Sequence, residues 1–195
     1  MSGIENETLR RVVIRVALLN LAYFSVEFAV ARHIGSVSLF ADSVDFLEDA
    51  SVNLMVAAAL LWTPRNRARV GMALAAILLI PGLATLWTAW AKFGSPVPPQ
   101  PMLLSVTGFG ALLVNSSCAV MLARHRRRGG SLTKAAFLSA RNDAVANIAI
   151  ILAGLVTAFL WHSAWPDLIV GLGIAAMNAD AAREVWEAAR SERIN

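Results

Sequence analysis

Two apolar stretches of the chain carry the same ladder of oxygen-bearing side chains. One reads Asp45-x-x-x-Asp49-Ala50-x-x-Asn53, the other Ser139-x-x-x-Asp143-Ala144-x-x-Asn147. Steps of four residues bring each set onto one face of a helix. Burying a carboxylate in hydrocarbon is unfavourable, so such a face turns to a cavity, a partner or an ion rather than to lipid. A ladder repeated on two helices supplies two walls of one cation site, on which Asp45, Asp49 and Asp143 are expected to converge. Aspartates crowded in a low dielectric repel each other, and a divalent cation relieves that repulsion. Protons are the alternative occupants, so the same carboxylates can bind a metal ion and exchange it for protons. The likeness between the two stretches also fits a pseudo-symmetric site near the membrane midplane.

Other polar residues cluster around the ladders. Asp42, Asp45, Glu48 and Asp49 fall within one helical arc of roughly 120°. A water-exposed helix end is the competing explanation, but Asp49 lies about a dozen residues from either joint, near mid-membrane. Ser139, Asn142, Asp143 and Asn147 share a second face, with Arg141 on the opposite side, placed to snorkel to headgroups. Hydrogen bonding between helices is an alternative role for Ser139 and the asparagines. Asn20, Tyr23 and Glu27 share a third face. Glu27 belongs either to the ion pathway or to a water-exposed outer end. Asn115, Ser116 and Ser117 suit helix packing, and Gly171 and Gly173 suit close helix contact. Pro81 suits a kink. His33, His125 and His162 fall in or beside joints, away from the ladders. The single Cys118 excludes an intramolecular disulfide and a CxxC metal site. It reads as a small apolar filler.

The elements that position these residues are membrane spans. Of 195 residues, 57% are apolar, and the mean hydropathy is +0.61, above the 45–50% apolar share of soluble chains. The apolar residues form six stretches of roughly 20 residues, the length that crosses ~30 Å of hydrocarbon. They lie at about 12–31, 37–62, 70–90, 102–123, 135–161 and 165–186, making one all-α, polytopic transmembrane domain over 1–195. The polar start through Arg11 leads into a run too long for a signal-peptide core. Four prolines within Pro96–Pro101 exclude a helix there and favour a stiff, extended connector.

The net charge of +4 does not indicate nucleic acid, because the basic residues are distributed by topology. Arg10, Arg11 and Arg15 precede or open the first span. Arg65, Arg67 and Arg69 lie between the second and third, and Arg124, Arg126, Arg127, Arg128 and Lys134 between the fourth and fifth. Arg183, Arg190 and Arg193 close the chain. Only Arg32 and Lys92 fall on the other side, so both termini are expected in the cytoplasm. Trp62, Trp87, Trp90, Trp161, Trp165 and Trp186 all lie near span ends, as in an interfacial aromatic belt.

The segment Gly35-Ser36-Val37-Ser38-Leu39-Phe40-Ala41-Asp42-Ser43-Val44-Asp45-Phe46-Leu47-Glu48-Asp49 resembles the second-helix signature of the cation diffusion facilitator family of divalent metal exporters. That signature has an Ala-Asp pair, then a His or Asp ligand, then an Asp ligand four residues on. The resemblance implies that Asp45 and Asp49 are metal ligands and that Asp42 is a supporting carboxylate. The fifth span is similar to the family's second ligand pair, with Asp143 at the Asp position. Trp165-Pro166-Asp167 resembles the opening of the family's last span. The likeness runs through nearly the whole chain, but only the second-helix motif is specific. Three departures stand out. Ser139 occupies the position where the family usually has His or Asp. The fourth joint has His125 but no histidine-rich tract. Only nine residues follow Trp186, so the family's C-terminal cytoplasmic domain is expected to be missing, and the homodimer that the family implies would rest on the spans.

A ligand set of Asp45, Asp49 and Asp143, with Ser139 or Asn142, is harder than a mixed His/Asp site. It tilts the choice from zinc towards manganese, iron(II) or cobalt, whereas the Irving–Williams order favours zinc over manganese. Asn53, Asn147, Asn20, Glu27 and Asp42 would support the site. The expected function is secondary transport: export of a divalent metal from the cytoplasm, by proton antiport, with the ion as cargo and no permanently bound cofactor. The protein would sit in the cell membrane, or the inner membrane of a bacterium. The alternative is a non-transporting membrane metal sensor or partner-binding relative. An intramembrane enzyme is the third class. Paired aspartates suit acid–base work, but no HExxH, GxSxG or phosphate loop is present, so no enzymatic activity is expected.

Overall fold

The computed structural model describes residues 3–59, 83–94, 96–123 and 130–177, with the side chains of 3–6, 59, 130–139 and 141 outside that description. It is all-helical over those residues. The helices are α1 (Gly3–Ile34), α2 (Val37–Ala59), α3 (83–94), α4 (Pro101–Ala123), α5 (Gly130–Phe159) and α6 (Trp165–Met177). α1 and α5 begin well before the spans expected at 12–31 and 135–161. Hydropathy marks only the part of a helix that sits in hydrocarbon, while the helix itself continues into water. α3 continues past Trp90 to residue 94, and residues 96–100 then form the non-helical, proline-rich connector. Pro101 opens α4, where a missing N–H costs the helix nothing. Pro81, Trp62, Trp186, His125 and most of the basic joints lie outside the described residues.

Stretches within α1, α4 and α5 are each long and apolar enough to cross a membrane (Glu7–Ile34, Pro101–Ala123 and Asn142–Phe159). α2 equals α4 in length and differs in carrying four carboxylates. Large apolar side chains stand exposed along the bundle, among them Leu18, Val26, Met102, Phe109, Leu113, Val145 and Leu152. So wide an apolar surface belongs against lipid. Trp87 and Trp90 (both over 70% exposed) lie in the last two turns of α3, and the half-exposed Trp161 and Trp165 flank the α5–α6 joint, as an aromatic belt requires. The protein is an integral, multi-pass membrane protein.

α1 packs along α2 and α4 along α5, with α1 also touching α4 and α2 touching α5. Apolar clusters close the two ends of this four-helix unit. At one end Leu9, Val13, Val16, Val56, Ala57, Cys118, Leu122 and Ala140 meet. At the other, Ala31, Leu39, Phe40, Ala41, Leu104, Ile150 and Ile174 meet. The buried polar residues Asp42, Asp45, Asp49 and Asn147 lie between them.

The α1–α2 joint is short and closely specified. Gly35 has a φ of 64°, the left-handed conformation that ends a helix most easily on glycine. The Ser36 N–H then donates to the Ala31 carbonyl at 3.0 Å. Ser36 caps α2 in turn, its Oγ accepting from Leu39 N–H at 3.1 Å. Gly171 on α6 lets that helix approach the same joint, since a Cβ there would lie 2.7 Å from the Ser38 nitrogen. Gly173 has open space around it, with nothing within 4 Å of such a Cβ. Close helix contact was expected of both glycines and holds only for Gly171: two residues along a helix point some 200° apart, so only one can face the joint.

Candidate metal centre

α2 turns its carboxylates inward. Asp42 is fully buried, Asp45 and Asp49 are buried, and Glu48 is half-buried at the edge of the arc. A water-exposed helix end therefore does not account for these residues. From α5, Asp143 is half-buried and lies within electrostatic reach of Asp45. Asp49 and Asp143 both come within such reach of Cys118 on α4. The two ladders thus look onto one interior region. Among the described residues, however, no three His, Cys, Asp or Glu side chains are gathered closely enough to hold one ion. Asp45, Asp49 and Asp143 are neighbours rather than a closed coordination shell. Asn142 is exposed, one helical step away from Asp143. The side chains of Ser139 and Arg141 lie outside the described residues.

The supporting residues form a hydrogen-bonded layer across four helices. Asn115 Nδ2 on α4 donates to Asn147 Oδ1 on α5 at 3.0 Å, and Asn147 Nδ2 donates to Asp42 Oδ2 on α2 at 2.6 Å. Asn115 was expected to serve helix packing and does so as the anchor of this chain of bonds. Ser116 and Ser117 are exposed, Ser117 bonding back to the Leu113 carbonyl of its own helix. Asn53 Nδ2 donates to the Asp49 carbonyl, one turn back. On α1, Asn20 is fully buried and accepts from the Cys118 thiol at 3.6 Å, so Cys118 is a weak donor as well as a filler. The Tyr23 ring lies 5.0 Å from that of Phe46 in a tilted pairing, and its hydroxyl donates to the Thr107 carbonyl at 2.6 Å.

Glu27 has no exposed surface. Of its two expected placements, the water-exposed outer end is incorrect: the helix rotation that buries Asn20 also turns Glu27 towards α2. Several buried atoms in the layer have no hydrogen-bond partner, namely Asn20 Nδ2, Glu27 Oε1 and Oε2, Asp42 Oδ1 and Asn53 Oδ1. Four of the five are acceptors. An interior left short of donors is suited to a cation.

One cluster carries no sequence-level expectation of a role. Asp167, at the start of α6, is fully buried. It accepts from Ser36 Oγ (2.6 Å), Val37 N–H (2.9 Å), Ser38 N–H (3.1 Å), Ser38 Oγ (2.6 Å) and Lys92 Nζ (2.8 Å). Lys92 also donates to the Gly35 carbonyl at 2.6 Å. A carboxylate at the α2 N-terminus meets the positive end of the helix dipole. The cluster ties α2, α3 and α6 at the α1–α2 joint. The available signal was a lone lysine and a lone aspartate at the ends of two apolar spans, which seldom stay unpaired there. A pocket of about 430 Å³ beside this joint is lined by Arg32, His33 and Lys92. It lies apart from the carboxylate layer.

Comparison with known proteins bears on this arrangement. The family model described as the cation efflux transmembrane domain matches residues 13–191, nearly the whole chain and every described site residue. No curated protein matches the sequence.

Proposed function

The chain belongs to the cation efflux family, and from that premise we propose that it exports a divalent metal ion of the zinc, manganese, cobalt or iron(II) class from the cytoplasm in exchange for protons. The family makes the protein a cation transporter; the ion, the counter-ion and the ligands are the proposal. The observation that carries it is the buried carboxylate face of α2, opposed by Asp143 of α5 and flanked by two apolar clusters. Lipid or packing alone gives no reason to keep these charges inside a membrane helix, where each aspartate costs about 2.5–3.5 kcal/mol at the centre.

In this proposal Asp45, Asp49 and Asp143 are the ligands, completed by Ser139 or Asn142, and Asp42, Asn53, Asn147, Asn20 and Glu27 support them. The carboxylates are neighbours but not gathered, so an entering ion would draw α2 and α5 together. A ligand shifts a conformational equilibrium through such differential contacts. The ion is cargo, and both termini lie in the cytoplasm of a homodimer built on the spans.

The test is metal uptake into inside-out vesicles, scanned over zinc, manganese, cobalt, iron(II) and cadmium at two pH gradients. Flux of at least one ion that responds to the gradient is expected. Metal binding without flux would instead favour the second reading, a membrane metal sensor or partner-binding relative, to which the Ser139 departure points.

A further inference from the structure

Glu27 and Asp42 face each other across the α1–α2 interface, within hydrogen-bonding reach. Both are fully buried. Neither Glu27 oxygen has a hydrogen-bond partner, and neither does Asp42 Oδ1. Two nearby donors are committed elsewhere. Asn147 gives its Nδ2 to the other Asp42 oxygen. Tyr23, one turn along α1, gives its hydroxyl to the Thr107 carbonyl. The charged groups acting on the pair are acidic too: Asp45 and Asp49 of α2. Among the described residues both ion pairs lie elsewhere, at Arg11–Glu7 and Lys92–Asp167.

Two facing carboxylates with no donor between them can bond only if one carries a proton. Without it, two like charges sit buried and adjacent, an arrangement that proteins avoid. A metal ion is a poorer occupant. Asp42 spends one oxygen on Asn147, leaving at most three oxygens from two side chains, fewer than the four ligands that even zinc takes. Asp42 also lies three residues before Asp45, about 4.5 Å nearer the α1–α2 joint along the helix axis.

We propose that Glu27 and Asp42 form a proton-binding site, separate from the metal ladder, in which one proton is shared between the two carboxyls. This rests on the transport reading for its purpose: the proton held there is the one moved against the metal. Loading forms an O–H bond on Glu27 and neutralises one charge; release returns the proton to water and leaves both carboxylates charged.

The experiment uses the full chain in lipid and has two readouts. Infrared spectroscopy detects the C=O stretch of a neutral carboxylic acid without any transport. Vesicles loaded with a pH dye and a metal dye report proton and metal flux together. Glu27→Gln keeps the shape of the side chain and supplies a donor to Asp42, so it should fold. It is expected to lose a neutral-acid band present in the parent chain and to lose metal-coupled proton flux. Asp42→Asn tests the same pair from the other helix and should lose the same band. Asp49→Ala is the opposite case, with metal flux lost and the band kept. A band unchanged in both pair variants would overturn the proton site, as would unaltered proton flux per metal ion. A parent chain that carries no metal but shows the Glu27-dependent band would overturn the transport reading and support the proton site.

Discussion

At the scale of single residues, the interior of this bundle separates carboxylates by what they can reach. Asp45 and Asp49 share a face of α2 with Asp143 of α5 in electrostatic range, whereas Asp42 is bonded to Asn147 and turned to Glu27. Removing a ligand should therefore stop transport without unfolding the protein. Asp45→Ala, Asp49→Ala and Asp143→Ala are each expected to abolish metal flux. Membrane insertion should be intact or easier, because a mid-membrane charge costing about 2.5–3.5 kcal/mol is gone. Flux in vesicles and the amount of inserted protein check the two halves separately; undiminished flux in all three variants would remove the ladder from the site. Ser139 allows a test by gain. Ser139→His adds a soft nitrogen to an otherwise oxygen-only set, and zinc prefers such mixed sets. Zinc should bind more tightly relative to manganese, as competition titration would show. Equal changes for both ions would mean that residue 139 does not touch the metal. The ligand candidates were legible in the sequence because spacing by four is a property of the helix alone. The partnership of Glu27 with Asp42 was not, because it depends on how α1 rotates against α2, which no single-helix pattern records.

Between elements, the α1–α2 joint is held by one carboxylate. Asp167 collects two backbone N–H groups, two serine hydroxyls and Lys92, linking α6 to the start of the helix that carries the ladder. The two ends of the Lys92–Asp167 pair are not equivalent. Lys92→Met leaves Asp167 with its four donors from Ser36, Val37 and Ser38, so the loss should be modest. Asp167→Ala strands a buried ammonium that keeps only the Gly35 carbonyl and removes the acceptor for the α2 N-terminus. Breaking a buried pair from one side costs about 3–5 kcal/mol. Thermal unfolding in lipid nanodiscs should thus show a far larger drop in midpoint for Asp167→Ala than for Lys92→Met. The reverse order would mean that Lys92, not Asp167, organises the joint. Helix order, the proline connector and the place of Gly171 were legible because each has a local cause. The Asp167 cluster was not, since its members come from three separate stretches of chain.

For the whole molecule, the sequence carries a second kind of information that helix packing does not, the distribution of arginine and lysine. Apolar length gives six spans, and the structure gives six helices among the described residues. Neither says which side of the membrane the chain ends occupy. Basic residues do, because cytoplasmic loops retain them. All four basic groups flank even-numbered joints or chain ends: the start of α1, the segment after α2, the segment after α4 and the end of the chain share one side if the span count is even. Arg32 and Lys92 fall on the other, and Lys92 is held in a buried ion pair, so it weighs little as a topology signal. A reporter placed after Asn195 should therefore read cytoplasmic, and so should one inserted in the 124–129 segment. Permeability-dependent labelling of single cysteines in a Cys118→Ser background would check both positions. A C-terminus on the outside with a cytoplasmic N-terminus would require an odd number of spans. A 124–129 segment on the outside would turn α5 over relative to α2, setting the two halves of the ladder at different depths. Two cytoplasmic positions would keep Asp45, Asp49 and Asp143 in one layer, which the exchange of a metal ion for protons across the membrane requires.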